Sequence, residues 1–219
     1  MTMEITDLAN LIKSRRSIRR WQDKRVSKEL LLKAIELATY APNGGNQQNW
    51  RFYVIVNKDT INSIADAVQA SANYIASWPE ASGFGENLTR ILQRSSFFRN
   101  APAAIAVTTK HYQSPIDQVL AAREKTDVRG AQIRQWRSGA STAIQSAASA
   151  ISYMLLVLHQ MGLGAVWMTG PMQAKGEIEK ILKVPGDMNL IAFIPIGYPA
   201  ENPPLKERKP VKEVCEVVN

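Results

Sequence analysis

Two short runs carry most of the chemistry that this sequence could perform. The first is Arg15-Arg16-Ser17-Ile18-Arg19, where guanidiniums and a hydroxyl follow a short helical pattern. Arginine presents forked, permanently charged donors, so such a run can grip a phosphate. The same run also reads as a solvated basic helix end that the helix dipole favours. The second is Pro42-Asn43-Gly44-Gly45-Asn46-Gln47-Gln48-Asn49-Trp50. Its glycines allow close backbone approach, and its amides offer both donors and acceptors to a heteroaromatic edge. It also reads as a plain helix-to-strand connection. Two later stretches add to these: the Thr169-Gly170-Pro171 turn, where backbone N–H groups are free to bond a ligand, and the basic Lys206-Glu207-Arg208-Lys209. A simple turn and a solvated tail are the ordinary meanings of these two.

Other chemistries find little support. The chain has two histidines, His111 and His159, and one cysteine, Cys215, so neither metal-ligand spacing nor an intrachain disulfide is present. No catalytic triad or carboxylate pair stands out. His159 reads as a satisfied core histidine, and Cys215 as a buried or edge residue of the tail. The lone cysteine fits a reducing, cytoplasmic setting. Met1 to Ala9 carries Glu4 and Asp7 with no apolar run behind it, which predicts no signal peptide. Ile144 to Leu163 is the most apolar stretch. Gln145, Ser146, Ser149, Ser152, His159 and Gln160 interrupt it, which favours a buried helix over a membrane span. With 27 Lys plus Arg against 19 Asp plus Glu, the formal charge is +8, which favours anionic partners. The basic residues are scattered and carry no recognised nucleic-acid motif.

The elements that must position these runs follow from periodicity and punctuation. Thr6 is placed to cap a first helix with Leu8, Leu11 and Ile12 on one face. Ser27 is placed to cap a second, with Leu30, Leu31, Ala34, Ile35 and Ala38 inward and Pro42 as its stop. Trp50 to Val56 predicts a strand covered on both faces. Asp59 is placed to cap a helix running to about Ser77. Pro79 to Gly85 reads as a loop, Ala101 to Thr109 as a strand, and His111 to Arg137 as a helical excursion or mobile lid. Gly139 to Met161 reads as a long helix, apolar nearly all round, with Gly162 just past its end. Leu163 to Met168 is a short strand, Ala174 to Val184 an amphipathic helix, and Asn189 to Ile196 a last strand. The proline-rich tail from Ala200 must lie along another surface, with Val214 to Val218 as a possible edge strand. At 219 residues, composed like an ordinary globular protein, the chain suits one domain. Helices and strands mix without a βαβ rhythm, which predicts an α+β fold.

The order and spacing of the runs resemble the nitroreductase family. Arg15-Arg16-Ser17-x-Arg19, then Ala41-Pro42-Asn43-Gly44-Gly45-Asn46-x-Gln48-x-Trp50, match its opening pattern. The late Gly162-Leu163-Gly164-x-x-Trp167, Gly197-Tyr198-Pro199 and Lys206-x-Arg208 are similar too. The family usually has a small residue where Asn43 stands, often proline where Asn49 stands, and in many members an acid where Thr169 stands. The stretch from Pro79 to Arg137 has no match.

The resemblance implies a sandwich with a central mixed or antiparallel sheet flanked by helices. It implies a single domain over 1–219, with 79–137 as a variable subdomain or lid and 200–219 as an extended tail exchanged onto the partner of an interlocked homodimer. It implies FMN at the subunit interface and NADH or NADPH as co-substrate. Carried over by position, Arg15, Arg16 and Ser17 hold the phosphate and ribityl chain, and Lys206 and Arg208 close on the same phosphate. Arg19 sits toward the pyrimidine end of the flavin. Pro42, Asn43, Gly44, Asn46 and Gln48 line the ring from the partner, and the Thr169 and Gly170 backbone meets flavin N5. No residue takes a catalytic role in its own right, because the cofactor carries the chemistry. The implied reaction is ping-pong transfer from NAD(P)H to a nitroaromatic, quinone or similar small-molecule acceptor, without nucleic acid or membrane. The same fold would also serve dehydrogenation, dehalogenation, flavin fragmentation or simple flavin binding. Trp136, Phe97 and Phe98 are candidates for an aromatic wall over the acceptor, although core packing is the ordinary role of such residues and is favoured.

Overall fold

The computed structural model describes residues 4–218; Met1 to Met3 of the expected N-terminus and Asn219 of the expected tail lie outside the described residues. Four strands, β1 (Trp50–Ile55), β2 (Ala103–Lys110), β3 (Gly164–Ala165) and β4 (Met188–Gly197), form one sheet in the order β1-β2-β4-β3. All three pairings are antiparallel, so the sheet is antiparallel and not mixed. Helices α2 (Lys28–Ala38) and α7 (Thr142–Gln160) cover one face and α3 (Lys58–Ala76) and α8 (Lys175–Leu182) the other. The central strands β2 and β4 are the most apolar, as a doubly covered position requires: the β2 residues Ala103 to Val107 are wholly buried. β1 lies at the sheet edge and is mostly half-buried, with Phe52 and Val54 toward the α2/α7 cluster and Tyr53 and Ile55 toward the α3/α8 cluster.

Helix punctuation follows the sequence in part. Ser27 caps α2 as expected, accepting from the Leu30 N–H, and α2 ends at Ala38, before Pro42 is reached. α1 (Ile5–Ser14) starts one residue before Thr6, with Glu4 at the cap position and no side-chain bond there. α3 is capped by Asn57, whose Oδ1 accepts from the Thr60 N–H at 2.9 Å; Asp59 lies inside its first turn. The expected long helix Gly139 to Met161 forms as one helix, α7, starting three residues later than expected. α6 (Val128–Gly139) ends where Ser141 takes a left-handed conformation, φ 46°, and α7 starts afresh at Thr142. Gly162, φ 75°, closes α7, with the Leu163 N–H reaching back to the Leu158 carbonyl.

A window within Val128–Gln160 is long and apolar enough to cross a bilayer, yet eight α7 residues, Ala143 to Leu158, are buried inside the fold. The span 79–137 is not one unit, because β2 interrupts it at the centre of the sheet. Helix α4 (Gly85–Gln93) lies before β2, and a hairpin of α5 (Pro115–Arg123) and α6 after it. The expected edge strand at Val214 to Val218 does not form within one chain. That segment is irregular and exposed beyond a single turn at Val211–Glu213, and Cys215 is exposed with it.

Candidate functional site

The Arg15–Arg19 run leaves α1 as an extended strap laid against the end of the sheet. Ser17 bridges Ala165 in parallel, and the Ile18 N–H donates to the Ala165 carbonyl at 3.1 Å. Trp21 Nε1 donates to the Gly164 carbonyl at 2.9 Å, and the Gln22 N–H to the Tyr198 carbonyl at 2.9 Å. Gly164 is required here: a Cβ on it would lie 2.6 Å from Ile18 Cγ1. Glu201, absent from the sequence-level candidates, anchors the strap from the other side. Its Oε1 accepts from the backbone N–H groups of Arg19 at 2.5 Å and Arg20 at 3.1 Å. Burial works against ionising this carboxyl, but those two N–H groups and the Arg20 guanidinium prevail, and its pKa lies below the usual range.

The strap assembles cations. Arg15 is half-buried, and its guanidinium finds no acceptor among the described residues. Burial, then the neighbouring charges of Arg16 and Arg208, push its pKa down. The tail of the same chain therefore brings Arg208 into the field of the first cluster. Arg16 donates through Nη1 to the Lys13 and Arg15 carbonyls at 2.7 and 2.6 Å, tying off the end of α1. Neither Arg15, Arg16, Arg19, Lys206 nor Arg208 meets a carboxylate among the described residues. Lys206 and Arg208 are exposed, and Arg208 bonds only the carbonyls of Lys206 and Glu207. His159, expected as a core histidine, is a member of this group. It is half-buried in the last turn of α7, with Nε2 2.9 Å from Ser14 Oγ. Burial, then Arg15 and Arg16, hold its pKa below the usual histidine value.

The Thr169-Gly170 turn lies downstream of the strap's contact at Ala165. It is four residues beyond Ala165, about 13 Å at the rise of an extended chain. The strap bridges Ala165 in parallel at Ser17, and the Arg19 and Arg20 N–H groups then meet Glu201, beyond the end of β4. Thr169 and Gly170 are exposed, and neither backbone N–H finds an acceptor among the described residues.

The amide-rich loop sits elsewhere, on the first turns of α7. The Gly44 N–H donates to Ser146 Oγ at 3.1 Å, and this hydroxyl donates to the Thr142 carbonyl at 2.9 Å. The polar interruption at Ser146 thus exists to hold the loop. Asn43 Oδ1 accepts from the Gln48 N–H at 3.0 Å, and its Nδ2 donates to the Ala41 carbonyl at 3.3 Å. Asn46 and Gln48 take positive φ, 50° and 45°, which fixes a tight outward bend. Pro42, Asn46 and Gln48 are exposed and Asn43 and Gly44 half-buried. Asn49, where family members often have proline, is buried and donates to the Lys110 carbonyl at 3.0 Å.

Within one chain the structure therefore joins Arg15, Arg16, Ser17 and Arg208 into one cluster, with Arg19 on the same strap and Thr169 four residues beyond the strap's contact at Ala165. It does not join them to Pro42, Asn43, Gly44, Asn46 and Gln48. Ser146, which holds that loop, and His159, which meets the strap, are thirteen residues apart on α7, about 20 Å. Of the aromatic candidates, Phe98 is fully buried against Phe193, and Phe97 stacks on Trp21 at 6.2 Å, so both serve packing. Trp136 is 61% exposed on α6.

Comparison with known proteins places this arrangement. An NADH dehydrogenase of Thermus thermophilus is 27% identical over 214 residues, covering 97% of each chain. The crystal structure of a BluB-like flavoprotein from Clostridium difficile 630 matches with a TM-score of 0.83 at 28% identity, over the full length of both chains. An iodotyrosine deiodinase, solved with FMN and 3-iodo-L-tyrosine, shares the fold at a TM-score of 0.68 and 22% identity, covering 97% of each chain. The Nitroreductase family model matches residues 12–198, which include the strap, the amide loop and the whole sheet, and the chain belongs to that family.

Proposed function

We propose that this chain is an FMN-dependent oxidoreductase that works as a soluble homodimer and passes reducing equivalents from NADH or NADPH to a small electrophilic acceptor. The observation that carries this reading is the convergence of Arg15, Arg16 and Arg208 with no carboxylate among the described residues, on a strap that pairs with Ala165 four residues before Thr169; the Thr169 and Gly170 N–H groups find no acceptor among the described residues. Excess like charge with no counter-ion is unfavourable unless an anion occupies it, and a phosphomonoester near neutral pH carries close to two negative charges. Arg15, Arg16, Ser17, Lys206 and Arg208 would hold the phosphate of FMN. When bound, FMN supplies the redox chemistry, taking a hydride at N5 and returning the electrons to a nitroaromatic, quinone or related acceptor. The Thr169 and Gly170 N–H groups are available to bond its N5 edge. Arg19 is exposed, its guanidinium bonded among the described residues only to the Ser17 carbonyl at 3.5 Å, and would favour the negative charge of a reduced ring.

The separation along α7 argues for two chains per site. The amide loop lies too far from its own chain's cations for one mononucleotide to touch both. Two α7 helices packed antiparallel about a twofold axis would bring the loop of one chain beside the cations of the other. Pro42, Asn43, Gly44, Asn46 and Gln48 would then line the flavin bound mainly by the partner. The test is direct: purified protein should be yellow, and anaerobic titration with NADH or NADPH should bleach the flavin bands. Protein that neither copurifies with FMN nor binds it when supplied rejects the reading.

A further inference from the structure

A cleft of about 540 Å³ opens at the start of α7, walled by the α5–α6 hairpin and the segment that follows β2. It adjoins the amide loop through two shared residues. A Cβ on Gly44 would meet Thr142 Cγ2 at 2.6 Å and the Tyr112 ring at 3.0 Å, and both Thr142 and Tyr112 line the cleft. A molecule in the cleft therefore lies next to whatever the loop faces.

The ionic character of the lining is one-sided. Arg134 and Arg137 stand against a single carboxylate, Asp117. That carboxylate is fully engaged. Its Oδ2 lies 2.5 Å from Ser114 Oγ and accepts from the Ser114 N–H at 3.2 Å, closing a capping box at the start of α5, while Oδ1 accepts from Arg137 Nε at 2.9 Å. Arg137 and Ser114 hold the Asp117 carboxyl down to about 2, so it is a fixed anion and not a proton donor. Arg137 is positioned by this contact but not saturated. Nη2 makes only a long 3.4 Å bond to Ser114 Oγ, and Nη1 finds no acceptor among the described residues. A guanidinium has five N–H donors, so a fork remains open toward the cleft. Arg134 pairs with Glu124 through Nη1 alone. A cation entering this cleft would find no free carboxylate in the lining, whereas an acid would find an oriented guanidinium and an aromatic wall.

We infer that this cleft is the acceptor subsite and that it selects planar acceptors carrying a carboxylate, with Arg137 as the recognising residue and Tyr112 as the stacking wall. The inference rests on the reading that the amide loop faces the flavin ring, but the cleft's preference can be measured without that reading. The probes are 4-nitrobenzoate and its neutral counterpart 4-nitrobenzyl alcohol, titrated by calorimetry into the full-length protein. The carboxylate is expected to bind at least about tenfold more tightly, the scale of one charge-assisted hydrogen bond. In Arg137→Gln that preference should fall below about threefold, and Arg137→Lys, which keeps the charge and loses the fork, should recover part of it. With FMN-loaded protein, the same preference should appear in kcat/KM, chiefly through KM. Equal affinity for the two probes in the unmodified protein, or an unchanged preference in Arg137→Gln, overturns the assignment. Comparing the two probes on the unmodified protein keeps the test decisive should Arg137→Gln fail to fold. Failure of the redox reading shows separately, as protein that takes up no FMN. The calorimetric preference then still upholds or overturns carboxylate selection by the cleft.

Discussion

Arg16 and Arg208 carry the same charge but not the same structural duty. Arg16 ties off α1 through two backbone carbonyls, while Arg208 bonds only carbonyls of its own exposed tail. Reversing either charge should weaken FMN binding by more than about tenfold, since each loses at least one hydrogen bond between charged groups. Arg208→Glu is the cleaner probe. Without flavin its midpoint of thermal unfolding should stay within about 2 °C of the parent, as for an ordinary surface change. Unchanged flavin occupancy in both variants would refute the phosphate assignment.

His159 reads the same cluster from the end of α7. Its folded pKa is depressed by burial and by Arg15 and Arg16, so the neutral form is the one the fold favours. Its contribution to stability is therefore complete above the ordinary histidine value and is lost as the pH falls through the depressed one. In flavin-free protein, the drop in unfolding midpoint from about pH 7.5 to about pH 5.5 should be smaller in His159→Gln than in the parent. Inorganic phosphate, by offsetting the two arginines, should shrink the parent's drop toward that of the variant. Identical pH profiles for the two proteins would remove His159 from the site.

The element that decides the site is the strap from Ser17 to Gln22. It belongs to neither a helix nor one of the four named strands, and it is fixed by Ala165 and Gly164 on one side and by Tyr198 and Glu201 on the other. Gly164→Ala forces a Cβ to within 2.6 Å of Ile18, and the strap must shift to admit it. Overpacking of this kind costs about 1–3 kcal/mol, or roughly 3–10 °C in a chain of this size. The displacement also carries Arg15, Arg16 and Arg19, so FMN affinity should fall with stability. Full flavin content at a lowered unfolding midpoint would show that the strap does not set the site.

The molecule as a whole presents apolar surface that one chain leaves uncovered. Ile5 and Ile12 on α1, Ile144 and Tyr153 on the outer side of α7, and Val211, Val214, Val217 and Val218 of the tail are all exposed. Apolar side chains exposed in this number are what an association face would cover. The protein should sediment at twice the chain mass. Ending the chain at Lys209 retains Lys206 and Arg208 but removes four exposed valines, and it should weaken the dimer by more than about tenfold. A truncated protein that dimerises as tightly as the parent would exclude the exchanged tail.

Local chemistry in the sequence was sufficient for most elements. The Ser27 cap, the helical-period burial of Leu31, Ala34 and Ala38 on α2, the left-handed Gly162 and the buried apolar run Ala103 to Val107 of β2 each follow from forces acting over a few residues, and all are present. The strap's cations and the amide loop were legible too, because arginine runs and Asn-Gly turns announce themselves by residue type. What the sequence could not carry is whatever depends on which distant groups meet. Ser146 and His159 looked like interruptions of an apolar stretch, and they became partners of Gly44 and Ser14 only once α7 was packed. Glu201 gained its role when the chain after β4 returned to the strap, and Arg137 gained its orientation when α6 folded back on α5. The break between α6 and α7 belongs with these. Periodicity started the long helix at Gly139, and the left-handed Ser141 that delays it to Thr142 lines the cleft beside the α5–α6 hairpin. Propensity and patterning are nearest-neighbour quantities, whereas a site is a set of long-range coincidences that only the packed chain brings about.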